Sequence, residues 1–208
     1  MVLSDSLLVS LIKMIDRIPM PPSSTKRPRG RPVTYPDRLL LKALVIMIIR
    51  RLYTAWALLR FLDQAEPLVQ QLRGLLSDHG RFPSRRTWER RLQRLPRTLP
   101  ALIGCLGRSL VPVLNPWAEQ GHGAALDSTP LRAHGGVWHK KDLEAGIVPH
   151  SAIDKGIFDV HRQVPTKGLV NTRRFDLGAI FVYQLCLWHR FELGLDLRCG
   201  LKAFLKAA

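Results

Sequence analysis

Residues 34–52 read TYPDRLLLKALVIMIIRRL. From Leu39 to Ile49 nearly every position is apolar, with Lys42 the one charge in the run. The start suits a helix: Thr34 can cap it, Pro36 fits the first turn, and Asp37 can reach back to the cap. Arg50 and Arg51 place positive charge near the far end, where the helix dipole favours it. The stretch predicts a helix over 36–52 that is apolar on nearly every side, so it must be buried among other helices.

The flanking segments supply those neighbours. Leu7, Leu8, Leu11, Ile12 and Ile15 recur at helical spacing and predict a helix over 3–18, stopped by Pro19, Pro21 and Pro22. A basic linker follows, with Arg27, Arg29 and Arg31 interrupted by Pro28, Gly30 and Pro32. It reads either as an arm for phosphates or as a solvated connection. Beyond 52, helices are predicted over 54–64, with Trp56, Leu58, Leu59 and Leu62, and over 67–76, closed by a turn at Asp78-His79-Gly80. Further helices are predicted over 98–113, closing with Pro112 and Pro116, over 173–192, and over 196–206.

Between them lies RFPSRRTWERRLQRLPR, residues 81–97, with seven arginines and one glutamate. Ser84 can cap a helix over 84–95. Trp88, Leu92 and Leu95 recur at i, i+4 and i+7 and face a core; Arg86, Arg90, Arg94 and Arg97 line another face. Arginines spaced along one helix face can bridge phosphates, and the second helix of a helix-turn-helix has this character. The plain alternative is a solvated charged face. Arg85, beside that row, is a further candidate for DNA contact, as are Lys140 and Lys141, in the run Trp138-His139-Lys140-Lys141, which reads either as a DNA contact by stacking and charge or as an exposed turn.

Composition bounds the rest. The 208 residues are 46% apolar, enough to bury a core, and carry a net charge of +16. Such a balance draws a polyanion by counterion release. Residues 1–120 hold 20 Lys and Arg against 8 Asp and Glu; residues 121–208 hold 12 against 8. The amino-terminal half is therefore the better candidate for nucleic-acid contact. Cys105, Cys186 and Cys199 are odd in number and far apart, which points to reduced thiols rather than a disulfide framework or a zinc ribbon. The longest apolar run, Ala43–Ile49, is far short of the ~20 residues of a membrane span. With no basic region ahead of the first apolar run, no signal peptide is expected, and the expected location is the cytoplasm, without a membrane partner.

From Gly121 the pattern changes. Ala124-Ala125-Leu126 is a short apolar run ending in Asp127, consistent with a buried strand. A carboxylate there is where magnesium chemistry on phosphates is often built, or it caps the turn at Ser128-Thr129-Pro130. Residues 137–168 read as loop with short elements. His134, His139 and His150 match no compact ligand spacing, so no metal role is expected for them.

ALDSTPLRAHGGVWHKKDLEAGIVPHSAID at 125–154 resembles the first-carboxylate region of bacterial insertion-sequence transposases of the DDE class. YPDRLLLKALVIMIIRRLYTAWALLRFLDQ and RFPSRRTWERRLQRLPRTLPALIGCLGR resemble that family's helical amino-terminal region, and residues 157–208 its carboxy-terminal tail. The resemblance implies DNA transposition by a ribonuclease-H-like core in which Asp, Asp and Glu bind two magnesium ions. Asp127 matches the first carboxylate, as catalytic residue and metal ligand. No position matches the second Asp or the Glu, and Asp154 and Ile157 are almost adjacent where the family has a long stretch. The chain is thus expected to be an internally deleted, catalytically inactive copy, or a repressor that occupies transposon ends alone, as a homo-oligomer, or with full-length transposase. The expected architecture is mostly α. It comprises a helical, basic amino-terminal bundle (1–120), a fragment of an α/β ribonuclease-H-like core (121–156) and a carboxy-terminal helical tail (157–208).

Overall fold

A computed structural model describes residues 5–21, 35–78, 80–114, 166 and 168–195. The predicted strand ending at Asp127, the rest of the core fragment, the basic linker and the helix predicted over 196–206 lie outside them. Among the described residues there are seven α-helices and no strand: α1 (Asp5–Met14), α2 (Asp37–Ile49), α3 (Ala55–Leu62), α4 (Pro67–Leu75), α5 (Arg85–Arg94), α6 (Leu99–Leu114) and α7 (Leu169–Glu192). A 3₁₀ turn, Leu95–Arg97, joins α5 to α6. No described helix is long and apolar enough to cross a membrane.

The buried helix is where its sequence puts it. Leu39, Leu40, Leu41 and every residue from Ala43 to Ile48 are buried in α2. Each such large side chain contributes roughly 1.5–3 kcal/mol, which makes α2 the centre of the core. Lys42 escapes by reaching Asp16 Oδ2 with its Nζ at 2.8 Å. The start differs from the expected cap. Pro36 holds the N-cap position with no side-chain hydrogen bond, and Thr34 lies outside the described residues. Asp37 does not reach back; its Oδ1 accepts from Arg91 Nη2 at 2.5 Å. An ion pair across the fold has taken the carboxylate that a capping box would use.

α7, twenty-four residues long, packs against α1, α2, α5 and α6. It begins at Leu169, four residues before the predicted start, after Gly168 at φ 85°. The earlier start adds Leu169 and Val170, which are 82% and 49% exposed, so an apolar periodicity tied to the core does not reveal them. Where α7 crosses α2 the helices meet closely: a Cβ on Gly178 would lie 3.0 Å from Ile48 Cδ1 and 3.1 Å from Leu44 Cδ1. α6 runs through Pro112 to Leu114 rather than closing at the proline. A proline so near the carboxy-terminal end removes one intrahelical bond and leaves only a short run of helix beyond it.

Arginines lock the helix ends together. Arg38 donates from Nη1 to Ile15 O at 2.9 Å and to Asp16 O, and from Nη2 to Ile18 O at 3.1 Å. One guanidinium thereby satisfies the carbonyls that follow α1. Arg73 Nη1 donates to Leu62 O at 3.2 Å and to Asp63 Oδ1, fastening α4 to the end of α3. Arg174 is buried in α7 and donates to Tyr53 O at 3.0 Å; burial pushes its guanidinium below its ordinary value. Cys186 is a buried free thiol pushed up to about 12 by burial, which makes it inert.

Candidate nucleic-acid interface

α5 is built as its sequence predicts. The Ser84 hydroxyl accepts from Thr87 N–H at 3.4 Å at the N-cap. Trp88 and Leu92 are fully buried and Leu95 nearly so, with the Trp88 ring 5.9 Å from that of Phe82. One stripe of the helix is thus committed to the core, and the arginines occupy the remainder.

The arginines of this segment have three different fates. Arg91 is only 15% exposed at its side chain and turns inward, donating to Tyr35 O and pairing with Asp37. Arg85 is exposed and held by Glu89, one turn on, at 2.7 Å. Arg86, Arg90, Arg94 and Arg97 are exposed and make no hydrogen bond or ion pair among the described residues. With Glu89 taken by Arg85, no carboxylate of α5 is left to balance them.

Three of those four meet at one place. Arg90, Arg94 and Arg97 line a cleft of about 580 Å³ with Gln93, and Val170 and Asn171 from the first turn of α7 form its other wall. Among the described residues no acidic side chain lines it. A guanidinium is always charged and presents a planar fork of donors that matches phosphate oxygens. Exposed guanidinium groups gathered without a carboxylate suit a polyanion backbone, with Gln93 as a further donor and acceptor.

Arg86 does not line the cleft, and Arg85 is occupied by its ion pair. Arg27, Arg29, Arg31, Lys140 and Lys141 lie outside the described residues, as does Asp127. Gln93, Val170 and Asn171 had no signal in the sequence. The two α7 residues stand more than seventy positions from α5, and only the tertiary fold brings them alongside. Trp56, read in the sequence as part of an apolar pattern, is 50% exposed, with the Arg60 guanidinium 4.8 Å from its ring centroid. Its ring is covered by a cation rather than by the core.

Magnesium is the metal that the family resemblance implies. Among the described residues no three or more of His, Cys, Asp and Glu gather closely enough to hold a metal ion. Asp127, the one carboxylate that the resemblance assigns to the metal, lies outside the described residues. One carboxylate does not fit a two-metal site. Comparisons with protein-family models, with curated proteins and with solved structures find no match to this chain.

Proposed function

We propose that this chain is a DNA-binding protein descended from insertion-sequence transposases, holding DNA through the open arginines of α5 without cutting it. The observation that carries the DNA-binding part is the set of four exposed arginines on α5 and its 3₁₀ extension that pair with no described residue, three of them in one cleft that no described acidic side chain lines. The net charge of +16 supports the same partner. Descent rests on the stretches 35–64, 81–108, 125–154 and 157–208. Lack of cleavage rests on Asp127 standing without the second Asp and the Glu. In this reading the protein occupies transposon ends as a repressor, alone or with longer copies.

The test is fluorescence anisotropy with two labelled duplexes of equal length, one carrying any terminal inverted repeat found in the DNA that flanks the gene and one scrambled. Each phosphate contact contributes about 0.9 to the slope of log K against log salt, so the triple variant Arg90→Ala, Arg94→Ala, Arg97→Ala should flatten that slope by about 2 to 3. The repeat-bearing duplex should bind the wild type more tightly than the scrambled one. An unchanged slope in the triple variant sinks the role of α5. Equal affinity for both duplexes sinks the role at transposon ends and leaves charge alone.

A further inference from the structure

We infer that the cleft between α5 and the start of α7 seats a stretch of the sugar-phosphate backbone of DNA, so that two segments more than seventy residues apart grip the same strand. This rests on the nucleic-acid reading above and adds a second wall to it. Arg90, Arg94 and Arg97 supply the forks on one side, and Val170 and Asn171 close the other. At about 580 Å³ the cleft has room for more than a lone small anion. Among the described residues its lining holds no carboxylate that would have to be displaced. A phosphate there would be held from one side by guanidinium groups, while the α7 wall stops the strand from sliding off the helix face. A flat arginine face would give attraction without a fixed path; a two-walled cleft gives the strand a track.

The inference is tested without touching any arginine. Val170 is 49% exposed in the cleft wall, and Val111 is 60% exposed on α6 and does not line the cleft. Val170→Glu and Val111→Glu change the net charge equally and differ only in place. Anisotropy with the labelled duplex should show Val170→Glu binding about tenfold more weakly and Val111→Glu within about threefold of wild type. Val170→Lys should bind more tightly than wild type, a gain that misfolding cannot produce. Equal losses in the two glutamate variants, or no loss in either, overturn the cleft and leave the DNA-binding reading standing.

A second arm separates DNA from a small anion of the same chemistry, with inorganic triphosphate as the probe. Arginine side-chain N–H resonances that shift with triphosphate in a protein that binds no duplex overturn the backbone assignment and the DNA reading together. Duplex binding that depends on residue 170 and outcompetes triphosphate supports both.

Discussion

α2 and α5 pack into the same core, α2 with nearly every face and α5 with a single stripe. In α2 nearly every residue from Leu39 to Ile48 is buried and the single lysine is paired. In α5 only Trp88 and Leu92 are buried, and the other faces carry arginines with three distinct fates. A uniform sequence gives a uniform environment. A repeated residue type does not, because each guanidinium is decided by whatever carbonyl or carboxylate the tertiary fold brings within reach.

The sharpest way to break the contrast is to remove what α5 shares with α2. Trp88 is fully buried and packs on Phe82. Trp88→Ala should cost about 3–5 kcal/mol in urea unfolding, because a large aromatic leaves a cavity that a helical core fills only in part. DNA affinity should fall with it, since the arginine face is positioned by this anchor. A variant that unfolds at the wild-type urea concentration would show that α5 is held by something other than its apolar stripe.

A second pair of variants tests the division among the arginines. Arg91→Ala removes two donors that tie α5 to Tyr35 and Asp37, and should cost about 1–1.5 kcal/mol, chiefly through the part-buried Tyr35 carbonyl, since water replaces the partner of the exposed Asp37 carboxylate. Arg94→Ala removes a side chain that no described residue holds, and should change stability by no more than about 0.5 kcal/mol. For DNA binding the order should reverse among the folded proteins, with Arg94→Ala the weaker binder. If Arg94→Ala destabilises as much as Arg91→Ala, the separation of structural from open arginines is wrong.

That division also marks how far the sequence could be read. Helical periodicity located α2 and the core stripe of α5 because burial of a side chain depends on its own polarity and its register. It could not show that Arg91 turns inward, since the partner that decides Arg91 lies 54 residues away, at Asp37. The register did set Arg91 apart from the row Arg86, Arg90, Arg94 and Arg97, which is as much as local spacing can show. Trp56 falls in a predicted helix, but periodicity does not show what its ring meets, which is the guanidinium of Arg60. Capping was legible where the cap is local, as at Ser84, which accepts from a backbone N–H three residues on. It was not legible at α2, where Asp37 is drawn across the fold. The α7 wall of the cleft depends on a contact between distant segments and left no trace in either one.

The smallest effect concerns the carboxy-terminal ends of α2 and α7, which close with the same geometry. At α7, Leu195 N–H donates to Arg190 O at 3.0 Å and Gly194 N–H to Phe191 O at 2.9 Å, with Gly194 at φ 66°. At α2, Leu52 N–H donates to Met47 O at 2.7 Å and Arg51 N–H to Ile48 O at 3.3 Å, with Arg51 at φ 55°. Both are Schellman ends, but one places glycine and the other arginine in the left-handed position. A residue with a Cβ is disfavoured there by about 1–2 kcal/mol. Glycine returns part of that, about 0.5–1 kcal/mol, through the freedom of the unfolded chain. Arg51→Gly should therefore stabilise the fold by about 0.5–1 kcal/mol, and Gly194→Ala should destabilise it by a similar amount. Nothing lies within 4 Å of a Cβ placed on Gly194, so its cost is conformational rather than steric. Urea unfolding of the two variants should move in opposite directions. Shifts of the same sign would mean that Arg51 is retained for its side-chain contacts, and that the two ends are alike only in their backbones.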